Sequence, residues 1–141
     1  LLTEQPYEQG WNTGYLGSLA WAYRQRGDEQ TATDLIERMR SHIATKQDMQ
    51  ENWVIQGATA EYEALSGNDD AALAALERAI DAGLRGMVFL NGPQFDGLRE
   101  RPEFIALSER MLALIDEQRA ILGMPPYRPV QPTEERPTFV N

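Results

Sequence analysis

The chain has no cysteine and a single histidine, His42, among its 141 residues. Without thiols it has no disulfides, no thiolate metal sites and no cysteine nucleophile, and the redox compartment stays undecided. His42 sits among Arg38, Arg40 and Lys46 with no second His or Cys to share a metal, so it reads as a surface or interhelical residue. Positive charge is scarce as well. Thirteen basic residues against 22 acidic ones leave a net charge of -9, which repels phosphate backbones and predicts no nucleic-acid partner. No apolar run approaches the roughly 20 residues that cross a bilayer, and no basic start precedes an apolar signal segment. A soluble protein without membrane contact is expected, the cytoplasm ranked ahead of the periplasm. The opening on Leu1 suggests a piece of a longer chain.

Chemistry-bearing constellations are also missing. Gly83, Gly86 and Gly92 are too scattered for a phosphate loop, and no lysine follows them in the required place. Asp69 and Asp70, behind Asn68, stand where acidic residues favour a helix N-terminus, which accounts for them without acid–base or metal work. The expectation is therefore no catalytic residue, no metal, no cofactor and no enzyme activity. The competing class is a small-ligand sensor or an enzyme built between helices.

What the chain does have is a unit written twice. Aligning Gly27 with Gly67 superposes Asn12 on Asn52, Gly17 on Gly57, Ala20 on Ala60, Gly27-Asp28 on Gly67-Asn68 and Ala32 on Ala72. Apolar residues account for 42% of the chain, enough for a packed core. Tyr15, Leu16, Leu19, Ala22 and Tyr23 follow Asn12 at helical spacing up to Gly27. Ala32, Leu35, Ile36, Met39 and Ile43 then form one apolar stripe of a second helix, which the extra length of the unit carries to about Lys46–Asp48. The second hairpin runs from Asn52 to Gly67 and from Asp69 to Gly83. Small residues at matching places predict close helix approach, Ala20 against Ala32 and Ala60 against Ala72. Trp11 and Trp53, at the two helix starts, suit hydrophobic staples.

Beyond Gly83 the glycines and Pro93 predict a short helix, a loop and a turn. Pro102 suits the first turn of a long amphipathic helix reaching Gly123. Met39, Met87 and Met111 read as core. Prolines at 125, 126, 129, 132 and 137 predict an extended tail, with Tyr127, Val130, Phe139 and Val140 as apolar anchors that dock it. The domain reading is residues 1–11 as the end of a preceding element or linker, 12–123 as the helical domain, and 124–141 as the tail.

Leu16, Leu19-Ala20, Tyr23, Gly27-Asp28, Ala32, Ile36 and Met39 fall where the tetratricopeptide repeat places its signature residues. Ala60, Gly67-Asn68, Ala72, Leu76 and Ala79 match in the second unit, where Thr59 and Glu63 depart from the pattern. The segment Ala79–Gly83, with Phe95–Arg99 and Arg101–Phe104, resembles the closing part of such regions in bacterial regulators that carry a winged-helix or adenylate-cyclase domain. The resemblance implies an all-α, right-handed α-solenoid of helical hairpins with a capping helix. It also implies a concave face, lined by the first helix of each pair, that binds a protein or peptide as a scaffold or regulatory arm. On that face the resemblance puts Trp21, Arg24, Gln25, Val54, Glu61 and Leu65 as partner-binding residues. One subclass of the family grips a terminal carboxylate with Lys and Asn in this groove; Gly17 and Trp21 occupy the key places here, so terminal-carboxylate recognition is not implied. The tail or the capping helix is a candidate homodimer contact.

Overall fold

The computed structural model describes residues 13–128, with side chains from residue 16 onward. It is all-helical, without a strand among the described residues. The helices are α1 (Thr13–Gln25), α2 (Glu29–Ala44), α3 (Trp53–Leu65), α4 (Asp69–Asp81), the single turn α5 (Met87–Leu90) and α6 (Pro102–Ile121). Two 3-10 turns, Gln47–Met49 and Pro93–Leu98, lie between them. No described helix is long and apolar enough to cross a membrane. Asn12, Trp11 and the first eleven residues lie outside the described range, as do the anchors Val130, Phe139 and Val140.

The helix ends follow from the sequence. Asp28 accepts the Thr31 amide at 3.1 Å to start α2, and Asn52 accepts the Val54 amide at 2.8 Å to start α3. Asn68 does not repeat this: its side-chain amide donates to Glu63 at 2.8 Å, leaving Asp69 and Asp70 to supply negative charge at the start of α4. Gly27, Gly67, Gly83 and Gly123 all take positive φ, 80°, 80°, 111° and 69°. The residue after each glycine donates its amide back five positions: Asp28 to Tyr23, Asn68 to Glu63, Leu84 to Ala79 and Met124 to Arg119. Four helices thus end in one left-handed glycine closure. The extra length of the first unit does not simply extend α2, which stops at Ala44; it forms the separate turn Gln47–Met49.

The two most extensive helix contacts are α3 on α4 and α1 on α2, the two hairpins of the repeat. Trp53, at the start of α3, lies beside Gly83 at the end of α4, so this pair is antiparallel. Between hairpins the direction is shared: Gly17 of α1 faces Glu61 of α3, and further along both helices Arg24 reaches the Leu65 carbonyl at 2.9 Å. Likewise Arg101 pairs with Asp70, and Arg110 with Asp81, so α6 runs parallel to α4. Helix α6 therefore runs alongside α4, and the irregular stretch containing α5 and Pro93–Leu98 connects the two in the chain.

Ala20, Ala32, Ala60 and Ala72 are all buried at the matched positions. One apolar cluster joins α4 to the irregular stretch and α6 through Leu76, Ile80, Leu90, Phe95, Phe104 and Met111. A smaller one joins α1, α2 and the end of α3 through Leu16, Ala20, Leu35, Met39 and Leu65. Met39 and Met111 are core, and Met87 packs against the larger cluster. After Gly123 the chain turns back along α6: Arg119 donates to the Pro125 carbonyl at 2.6 Å and the Tyr127 amide to Asp116.

Candidate functional site

The six residues that the tetratricopeptide resemblance singles out lie on α1 and α3, and the structure divides them. Gln25 is exposed and Val54 is 41% exposed. Trp21 is half-buried and packs on the smaller cluster, so much of its ring is occupied within the domain. Arg24 spans two hairpins, donating to the Leu65 carbonyl and pairing with Glu29 at 3.4 Å. Its role includes tying α1 to α3.

Glu61 and Leu65 are corrections. Leu65 belongs to the smaller cluster, and Glu61 is only 1% exposed. Both lie on the inner stripe of α3, at helical spacing from Ala58, and the turn Pro93–Leu98 packs over α3 and reaches α1. Part of the expected groove is thus filled by the chain itself. Phe89 of α5 completes the filling over Gly57, where a Cβ would stand 3.3 Å from its ring. Phe95 is fully buried beside it, with ring centroids 5.3 Å apart in an edge-on arrangement.

At the centre of this contact Gln94, itself buried, donates its side-chain N–H to Glu61 Oε1 at 2.6 Å. Two glycines make the space. A Cβ on Gly17 would stand 3.0 Å from Glu61 Oε2, and one on Gly92 would stand 2.5 Å from the Gln94 amide. Three buried side-chain polar atoms among the described residues have no hydrogen-bond partner, and two belong to this pair: Glu61 Oε2 and Gln94 Oε1. Burial pushes the Glu61 carboxyl far above the ordinary range, to about 8, against the opposing hydrogen bond from Gln94. Sequence reasoning named Glu61 for the wrong environment and missed Gln94.

No protein-family model, curated protein or solved structure matches the chain. The remaining features are therefore read from geometry alone. A second polar link fixes the start of α3: Arg78 donates to Gln56 Oε1 at 2.8 Å, and Gln56 donates to the Gln50 carbonyl at 2.6 Å. Between α4 and α6 lies an open cleft of about 510 Å³, floored by Leu73, Ala74 and Leu107 and rimmed by Asp70, Arg101 and Arg110. Arg101 bridges Asp70 and Glu103 at its mouth, at 2.9 and 3.1 Å. Asp69 and Asp70 stand in the first turn of α4, Asp70 also on this rim; no group of three or more side chains that could hold a metal ion occurs among the described residues.

Proposed function

We propose that this chain is a non-catalytic module for binding a protein or peptide. In this reading it is a right-handed stack of tetratricopeptide-like hairpins capped by α6, followed by an extended proline-rich tail, and it serves as a scaffold or regulatory arm of a larger bacterial protein. The observation that carries the reading is the parallel, side-by-side placement of α1 and α3, tied by Arg24 to the Leu65 carbonyl. Two equivalent helices thereby present one continuous surface, and its accessible part holds Trp21, Gln25 and Val54.

The test begins with cross-linking and mass spectrometry to identify a partner, followed by calorimetric titration of that purified partner. The triple variant Trp21→Ala, Gln25→Ala, Val54→Ala is expected to lose about tenfold or more in affinity while keeping its helical circular dichroism. Arg24 is left intact because its guanidinium holds the two hairpins together. Unchanged affinity in the folded triple variant would move the site off this face.

A further inference from the structure

Glu61 and Gln94 come from elements 33 residues apart and meet in an interior that excludes water. Their arrangement is lopsided as an ionised pair. A carboxylate accepts only, so it satisfies the Gln94 N–H at one oxygen and leaves the other oxygen, and the carbonyl oxygen of Gln94, without donors. An unpaired buried polar atom destabilises the fold, and more so when it is charged. One proton resolves both defects, because Oε2–H of a neutral acid is the donor that Gln94 Oε1 lacks.

We infer that Glu61 is held as the neutral acid and closes a two-point acid–amide ring with Gln94, latching the turn Pro93–Leu98 across α1 and α3. Gln94 Nε2–H donates to Glu61 Oε1, and Glu61 Oε2–H donates to Gln94 Oε1. Gly17 and Gly92 flank the ring from its two sides and give it room. When the proton leaves to solvent, the carboxylate keeps one bond, faces the acceptor oxygen of Gln94, and gains by moving toward water. The turn then lifts from α1 and α3.

No charged side chain of the packed elements acts on the Glu61 carboxyl. On α1, Arg24 binds the Leu65 carbonyl and Glu29; on α2, Glu37 pairs with Arg40. On α3, Glu63 accepts from Asn68; on α4, Arg78 donates to Gln56. Asp96 of the turn itself pairs with Arg99 at 2.8 Å. Burial and the Gln94 hydrogen bond are the influences on the Glu61 carboxyl, and both are set by closure of the turn. The latch concerns the chain alone and stands whether or not the α1–α3 face binds a partner.

The test uses the 141-residue chain. Carbon-detected NMR follows the Glu61 carboxyl from pH 4 to 10, and hydrogen exchange follows the amides of residues 94–98. Glu61 is expected to titrate near 8, apart from the other carboxylates. Amide protection in the turn, corrected for intrinsic exchange, should fall about tenfold between pH 7 and 9. Glu61→Gln supplies a permanent donor to Gln94 Oε1 and should hold protection constant across that range. Titration of Glu61 among the surface carboxylates, or equal pH dependence in the wild type and the folded Gln variant, would overturn the latch. Gln94→Leu, which keeps the turn but not the acceptor, should lower protection at every pH; wild-type protection in it would equally refute the proposal.

Discussion

Gly17 and Gly57 hold the same place in two hairpins 40 residues apart, yet a carboxyl group covers the first and an aromatic ring the second. The backbone of the repeat is nearly the same in both: a short first helix, a glycine turn at φ 80°, a buried alanine early in the second helix. What differs is the neighbour. Helix α3 follows the first hairpin and offers Glu61, whereas the irregular α5 follows the second and offers Phe89. A glycine in this register is therefore a socket for the next unit, and the repeat conserves the socket rather than the plug. The polar plug leaves orphan atoms and the aromatic one leaves none, so the first interface is conditional on protonation where the second is not.

That contrast can be broken most severely from the second interface. Phe95→Ala removes a fully buried ring that touches Phe89 and lies 6.2 Å from Phe104. It should cost about 3–5 kcal/mol in denaturant unfolding, enough to detach the irregular stretch from the hairpins.

Next comes pH. The Glu61 carboxyl titrates near 8 when folded and near 4.5, the ordinary glutamate value, when unfolded. Below the lower value both states hold the proton and nothing is lost. Between the two, the unfolded chain releases a proton that the folded chain keeps, so stability falls as pH rises, by about 1.4 kcal/mol per pH unit at most. Above the upper value the loss is complete and flat. Glu61→Gln should abolish this slope and be the more stable protein at pH 8, as thermal melts across pH would reveal. Asp28, Glu37 and Glu103 act oppositely: hydrogen bonds from Thr31, Arg40 and Arg101 hold their carboxyls below the ordinary range, so their contribution is lost as pH falls.

The sockets themselves can be compared by Gly17→Ala and Gly57→Ala. Each added methyl overpacks its site, at 3.0 Å from Glu61 and 3.3 Å from Phe89, with a loss of about 1–3 kcal/mol in calorimetry. Only the first should also alter the pH slope. Gly27→Ala and Gly67→Ala sharpen the likeness instead: both meet open space, so each should cost only the left-handed backbone term, about 1 kcal/mol, and the two should be equal and additive. Smallest is Arg40→Ala, which removes an exposed pair with Glu37 and should change the melting temperature by about a degree or less.

The hairpins were legible because their signals are local. Asp28 and Asn52 cap within three residues, glycines stop helices in place, and Leu35, Met39, Leu76 and Ile80 bury at the spacing their helices require. The start of α6 at Pro102 and the short helix after Gly83 were legible for the same reason. The Glu61–Gln94 contact was not, since it depends on which element crosses α3 from 33 residues downstream. One signal was present: Glu61 falls between Ala58 and Leu65 on the apolar stripe, where a solvated glutamate does not belong. The small residues of the repeat divide: Ala20, Ala32, Ala60 and Ala72 are buried, whereas Gly17 and Gly57 serve contacts between units.

The pairing of four positions from distant parts of the chain has a consequence for how this sequence can change over generations. Gly17, Glu61, Gly92 and Gln94 form one inheritance unit. Exchanging Glu61 for leucine alone strands the Gln94 amide, and exchanging Gln94 alone strands a buried acid, so either first step is damaging although both together can be nearly neutral. A drifting lineage would find this corner of the protein hard to leave one substitution at a time. Descendants should therefore keep all four residues, carry glutamine in place of Glu61 as the one single step that preserves both bonds, or have replaced the acid and the amide together.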